Sequence, residues 1–269
     1  MHKKKRLFLF AAYSKDGVIE KSLVHYVRGL ARIGDVVLCM DSNCKDFEPL
    51  TRFTVHFIAK CHGEYDFGSY KRGFIWARKN LNLDNYDFVY LVNDSVYGPV
   101  SSTNIGSILN RLERKGEFVG MVSNMDVGVP KHIQSWFIGV SNRIATSKIF
   151  KRFMLSIKKQ NSKQEIVTKY EIGLSEMIMK SFRVAPCVLF NQDNHVCNTM
   201  YNKPYVPVKC GMPFIKKSAI QHMLSYRFLK KYVNNQKLYT AIKSTGVHVK
   251  YRPIKLVLAS FVGFNRIYL

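Results

Sequence analysis

The stretch YDFVYLVNDSVYGP, residues 86–99, decides the fold. Its first half, YDFVYLVN (86–93), is an almost unbroken apolar run. A strand with one wet face would alternate apolar and polar residues. An unbroken run reads instead as a strand covered on both faces, as parallel sheets require. The second half turns polar at once, with Asn93, Asp94 and Ser95, and then reaches Gly98 and Pro99. Gly-Pro marks a turn. An acid therefore stands just past the carboxyl end of a buried strand. In open α/β sheets ligands bind at that end.

The same texture recurs outward from this strand. RLFLFAA (6–12), GDVVLCM (34–40), RFTVHFIAK (52–60) and EFVGMVS (117–123) read as further strands. Between them, VIEKSLVHYVRGLARI (18–33) sets Ile19, Leu23, Val27 and Leu30 on one helical face. Residues 68–80 and 104–115 also read as helices. This βαββαβαβ order predicts an α/β fold, a largely parallel sheet flanked by helices. HIQSWFIGVSN (132–142) is expected to be one more strand. Two helices at about 144–158 and 163–180 follow, and FRVAPCVLF (182–190) returns to strand.

After Tyr201 the texture changes. KPYVPVKCGMPFIKK (203–217) carries three prolines and reads as irregular. Residues 216–243 are expected to be helical and are rich in Lys and Tyr. The division expected is an α/β domain over 1–205 and a basic, helical C-terminal extension over 206–269. The apolar end PIKLVLASFVGFNRIYL (253–269) fits a short interfacial helix or a helix packed on the core.

The bulk numbers exclude some classes. A hydrophobic content of 47% argues against global disorder. A net charge of +24, from 42 bases and 18 acids, implies an anionic partner: nucleic acid, a membrane surface or a phosphorylated substrate. Six cysteines without a C-x-x-C pair argue against a zinc ribbon and for reduced thiols in a cytosolic setting. No H-x-x-x-H or H-E-x-x-H occurs, so zinc is disfavoured. The basic start MHKKKRLFLFAA is too short in apolar residues for a secretory signal and reads as a first strand. No stretch reaches the roughly 18 apolar residues of a membrane-spanning helix.

Three segments fall at the carboxyl ends of strands: AAYSKDG (11–17), CHGEYDFGSYKRG (61–73) and NDSVYGP (93–99). A carboxylate at Asp94 cannot be buried unpaired without a large cost. It meets a divalent cation such as Mg²⁺ or Mn²⁺, for which hard oxygen ligands are suited, or else it caps the turn with Ser95. In GEYDFGSYKRG the glycines let a ligand approach the backbone. Lys71 and Arg72 are of a type that reaches phosphate, Asp66 accepts hydrogen bonds, and the helix start favours anions. The plain alternative is a strand-to-helix loop with solvated charges. The segment is neither G-x-G-x-x-G nor a P-loop. His132, Gln134 and Trp136 alternate, so on a strand they share a face, suited to stacking and hydrogen bonding with a sugar or simply a wet edge.

GEYDFGSYKRG, YLVNDSVYGP, HIQSWFIGVSN and KYEIGLSEMI follow one another in order, with LFAAYSKDGVIEKSLVHYV before them and MPFIKKSAI after. On these motifs the chain resembles the rhamnan synthesis F family of bacterial glycosyltransferases over about residues 6–220. The resemblance implies a GT-A-like nucleotide-sugar sheet. It also implies transfer of a deoxyhexose, typically rhamnose from dTDP-rhamnose, to a growing cell-surface polysaccharide or lipopolysaccharide O-antigen. It puts Tyr13, Asp16, Asp66, Gly68 and Lys71 on the nucleotide side, beside Asn93, Asp94 and Ser95. Asp94 stands at the place of the metal-binding acid, although Asn–Asp–Ser departs from the wider D-x-D pattern. A β-linked donor giving an α-linked product means inversion, which calls for a base at the acceptor hydroxyl. Glu171 is the expected base and Asp126 the next candidate. Glu176 lies about 140° around the helix from Glu171. The partners implied are a dTDP-sugar donor, a lipid-linked glycan acceptor and the anionic cytoplasmic face of the inner membrane. KKKR (3–6) and the basic extension are the expected membrane contacts. No nucleic-acid-binding motif is present, so a specific nucleic-acid partner is not expected.

Overall fold

The structure is a computed structural model that describes residues 4–100, 104–126, 128–193, 200, 207 and 210–221. Residues 222–269, most of the expected extension, lie outside the described residues.

A mixed, mostly parallel sheet of eight strands forms the centre, in the order β3-β2-β1-β4-β8-β6, with β7 and β9 both paired to β6. β1 (Arg6–Tyr13), β2 (Asp35–Asp41), β3 (His56–Ala59) and β4 (Phe88–Asn93) run parallel. β8 (Phe137–Ser141) is antiparallel to both neighbours. β6 (Phe118–Asp126) and β9 (Pro186–Asp193) run parallel to each other. β7 (Val129–Ile133) pairs with the far half of β6. A second, two-stranded sheet joins β5 (Val96–Tyr97) to β10 (Ile215–Lys216).

The unbroken apolar runs are explained by helices on both faces. Phe8 and Phe10 of β1 point into one core with Leu23, Tyr26, Val27 and Leu30 of α1 (Lys21–Ala31) and Leu109 of α4 (Ile105–Lys115). Leu7, Leu9 and Ala11 point into the other, against Phe67, Tyr70 and Phe74 of α3 (Tyr65–Asn80). Alternate side chains of a strand leave on opposite faces, so a two-faced core demands apolar residues at every position. α2 (Glu48–Thr51) is a single turn before β3. α5 (Asn142–Ala145) and α6 (Lys148–Ser156) cover the second face. α7 (Lys163–Ile166), a π-helical stretch (Val167–Ile172) and α8 (Gly173–Phe182) follow without a break. Among the described residues no helix is long and apolar enough to cross a membrane.

Four expectations need correction. HIQSWFIGVSN is not one strand. It turns at Gln134–Trp136, so β7 ends at Ile133 and β8 begins at Phe137. Strand β6 holds the two arms of this turn along one edge, and Gln134 N–H donates to the Val122 carbonyl at the bend. α3 begins at Tyr65 rather than 68, so most of GEYDFGSYKRG is helix. Asp41 accepts from the backbone N–H groups of His62 and Gly63 and fixes the chain just before that helix. KPYVPVKCGMPFIKK is not wholly irregular: Ile215–Lys216 is a strand, and Met212 and Phe214 are buried in the core of α1. The described start of the expected extension thus packs as part of the sheet domain. Finally, Arg6 of KKKR is not at the surface. It is buried, and its Nε and Nη2 donate to Glu113 at 2.6 and 2.8 Å.

Candidate functional site

Strand order sets where a ligand should sit. The chain runs from β1 outward to β2 and β3 on one side and then crosses back to β4 on the other, so a crevice opens at the carboxyl ends of β1 and β4, the switch point of the sheet. Tyr13 ends β1 and Asp94 follows β4. The Tyr13 N–H lies 3.5 Å from Asp94 Oδ2.

Beside this crevice lies a cavity of about 330 Å³. Stretches distant in sequence supply its walls. Asp66 comes from the first turn of α3, Asn93 and Ser95 from the end of β4, His132 to Trp136 from the β7–β8 turn, Glu171 from the π-helical stretch, and Lys216 from β10.

Hydrogen bonds order these groups. Asn93 Nδ2 donates to Asp66 Oδ2 at 2.6 Å, while Asn93 Oδ1 accepts from Ser95 N at 3.0 Å and Ser95 Oγ at 2.6 Å. Lys216 Nζ donates to Ser95 Oγ at 3.1 Å and sits 5.2 Å above the Trp136 ring. Burial raises the Asp66 carboxyl to about 6, with Asp94 adding to it and Lys216 opposing. Burial lowers the Lys216 ammonium to about 8, against the pull of Glu171 and Asp66. Oδ1 of Asp66 accepts no hydrogen bond among the described residues.

Glu171 is held differently. Its Oε2 accepts from the backbone N–H and the hydroxyl of Ser135, and its Oε1 lies 3.5 Å from His132 Nε2. His132 Nδ1 is 2.8 Å from the Pro130 carbonyl oxygen. A carbonyl only accepts, so Nδ1 carries a proton. Nε2 faces the Glu171 carboxylate, an arrangement that favours the protonated ring. Burial opposes that charge on His132, but Glu171 and Pro130 outweigh it and raise its pKa. Burial likewise opposes the Glu171 charge, and His132 and Ser135 outweigh it and lower its pKa.

The other expected residues divide. Gln134 and Trp136 line the cavity, but the indole N–H donates to Gln134 Oε1 at 2.8 Å and the ring is buried against Phe214. Asp94 points away from the cavity, towards Tyr13 and Lys217. Burial pushes its carboxyl upward, and Lys217 opposes that. Tyr13 is 63% exposed at the crevice. Asp16 is also exposed and accepts from Ser14 Oγ and Val18 N within its own turn. Gly68 serves packing, because a Cβ there would strike the Glu64 side chain and lie 2.9 Å from His62 Nδ1. Lys71 turns from the cavity and donates to the Ile157 carbonyl at 2.7 Å. Asp126 ends β6, and its side chain lies outside the described residues. The sequence reading did not find Ser135, Lys216 or Lys217. Only the pair of lysines after an apolar Phe-Ile, in a proline-rich stretch, hinted at them.

A metal at Asp94 is a poor fit to these residues. The Lys217 ammonium lies 3.7 Å from Asp94 Oδ2 and 3.3 Å from Glu20 Oε2, in the position a cation would take. Among the described residues no group of three or more His, Cys, Asp or Glu side chains converges.

The rhamnan synthesis protein F family matches residues 36–263. The chain belongs to that family. The match begins in β2 and runs through every cavity segment, past Lys216 and Lys217; Tyr13 and Asp16 precede it. The rhamnan synthesis F assignment thus agrees with the resemblance carried by the motifs. An uncharacterized protein of Sinorhizobium fredii, y4gN, is 28% identical over 171 residues, 61% of this chain, and the chain spans 43% of that relative's length.

Proposed function

We propose that the chain is a glycosyltransferase that moves a deoxyhexose, rhamnose from dTDP-rhamnose, to a growing cell-surface polysaccharide on a lipid-linked acceptor. Membership of a rhamnan synthesis family supports the polysaccharide and the transfer chemistry. The strand order, with four parallel strands followed by one antiparallel insertion, supports a GT-A-like donor site at the crevice between β1 and β4.

The observation that carries the reading is the cavity next to that crevice, with the open oxygen of Asp66 inside it. Its volume of about 330 Å³ lies within the ~300–1,000 Å³ common for small-ligand sites. In the proposed reaction the acceptor hydroxyl attacks the anomeric carbon as its proton passes to Asp66. The new glycosidic bond forms, the bond to phosphate breaks, and dTDP leaves with inversion. Glu171 stands in the same cavity, but both its oxygens are engaged, so we assign it to orienting Ser135 and His132. The anionic inner-membrane surface would then present the acceptor.

Calorimetric titration of dTDP-rhamnose, dTDP, UDP and GDP tests the donor. The expected result is selective dTDP binding that Asp66→Asn leaves nearly unchanged. The same substitution should lower kcat by at least ~10²-fold, the scale of lost general-base catalysis. A base must be unprotonated, so the wild-type rate should fall as pH drops below about 6, where Asp66 takes up its proton. A rate flat to pH ~5 and abolished only in Glu171→Gln would give Glu171 the base role. A folded protein that binds no nucleotide would end the transferase reading.

A further inference from the structure

We propose that Lys217 replaces a divalent cation at the end of β4, and that Lys216 and Lys217 together hold a diphosphate without metal. The inference deepens the donor-site reading above and rests on it for the identity of the nucleotide.

Lys216 ends β10 and Lys217 follows it, and their ammonium groups reach opposite sides of the loop. Lys216 pairs with Val96 in the β5–β10 ladder and sends its ammonium to Ser95 Oγ on the cavity side. Lys217 sends its ammonium to Asp94 on the crevice side, 3.7 Å away, and its backbone N–H donates to the Ser95 carbonyl at 3.0 Å. Two cations therefore flank the loop Asn93–Asp94–Ser95 at the switch point of the sheet. Lys216 lies in the ladder and Lys217 follows it directly, tied by its own N–H to Ser95, so the backbone of both is in place before an anion arrives.

Lys217 occupies the position of a metal in chemical terms too. It bridges Asp94 and the Glu20 carboxylate, with the Tyr97 ring 5.5 Å from its Nζ. Its side chain is 20% exposed, against 64% for Glu20, so Glu20 can swing outward while the ammonium stays. An ammonium has three donors and no acceptor. Asp94 and Glu20 each engage it, and a phosphate oxygen can replace Glu20 without leaving Asp94 unpaired. A divalent ion at the same carboxylate would sit within a few ångströms of a fixed positive charge, which opposes its binding.

Inorganic pyrophosphate is the first probe, because it lacks base and sugar. It is titrated calorimetrically into the full chain in EDTA and then in Mn²⁺. Wild type should bind in EDTA with a Kd within about 3-fold of that in Mn²⁺. Lys217→Met should weaken binding in EDTA by about 10-fold or more, and Lys217→Arg, which keeps the charge, should restore most of it. Thermal unfolding of each variant checks that it is folded. Wild-type binding that needs Mn²⁺ would overturn the proposal. So would Lys217→Met with unchanged affinity and lower thermal stability, which would make the lysine a structural tie only. Absence of pyrophosphate binding in folded wild type would overturn it as well. dTDP in EDTA separates the two readings: if dTDP binds no better than pyrophosphate, the lysine pair stands as a diphosphate site and the dTDP donor reading fails.

Discussion

At the scale of single residues, the cavity carries opposed protonation preferences. Asp66 is held above its ordinary carboxyl value by burial, so the folded chain keeps its proton to about pH 6 and the unfolded chain loses it near 4. Between those values the native state binds more protons, and stability falls as pH rises. Asp66→Asn is therefore expected to raise stability at pH 7 to 8 by roughly 1–3 kcal/mol, with the gain shrinking towards pH 4. Denaturant titrations at the two pH values would show it, and an equal effect at both would refute the assignment. The Glu171–His132 pair has the reverse signs. The lowered carboxyl stabilises above its unfolded value and loses that on acidification. The raised imidazole stabilises below its unfolded value and loses that as pH rises through its folded one. Glu171→Gln should cost most stability between these limits, around pH 5 to 6.5, and less at pH 9. Ser135 was illegible in the sequence because its value lies wholly in a partner 36 positions away.

At the scale of elements, the turn between β7 and β8 and the π-helical stretch bring distant cavity-lining groups together. The spacing of HIQSWF looks like a strand because Ile133 and Phe137 are both buried. Gly120 shows why the chain bends instead. A Cβ there would strike Ile133 and lie 2.8 Å from the Phe137 carbonyl oxygen, so β6 leaves no side chain between itself and the two arms of the turn. Gly120→Ala is expected to cost roughly 1–3 kcal/mol, the scale of overpacking. It should also raise the KM for acceptor more than that for donor, because it displaces Gln134–Trp136. Equal changes in both would argue that the turn does not face the acceptor. The π-helical stretch carries Glu171 into the cavity, while Glu176 pairs with Lys180 at 3.5 Å on the outside. Single-turn π segments often mark functional places in helices.

At the scale of the whole molecule, a second polar cluster anchors the far end of the sheet. Glu113 of α4 accepts from Arg6 of β1 and from the Tyr90 hydroxyl of β4 at 2.6 Å, so one carboxylate joins the two strands that frame the crevice. Removing one member of a buried ion pair strands the other, so Glu113→Ala should lower stability by roughly 3–5 kcal/mol. Donor affinity of the folded fraction should be unchanged, since the cluster sits away from the carboxyl ends; a matching loss of affinity would contradict that. The net charge of +24 belongs to this scale also. Phe214 and Lys216 are part of the core and cavity, so a cut at 205 would damage the domain; the informative truncation starts after Gln221. Full chain is expected to bind vesicles containing phosphatidylglycerol at low salt more tightly than the chain lacking 222–269. Equal binding would sink the membrane role of the extension.

The sequence by itself determined the α/β class, because short unbroken apolar runs alternate with stretches of helical spacing, as a sheet buried on both faces by helices requires. It also determined the family, through four motifs kept in order. It located Asp66, Asn93, Ser95, His132, Gln134, Trp136 and Glu171, all of which line one cavity. Only the tertiary structure showed which groups each of them meets there. Whether a carboxylate is a base, an ion-pair partner or a turn cap depends on its neighbours in space: Lys216 and Asn93 at Asp66, Ser135 and His132 at Glu171, Lys217 at Asp94. These partners lie tens of residues away or more, and hydrogen bonds and charge act over a few ångströms of space, whatever the distance along the chain.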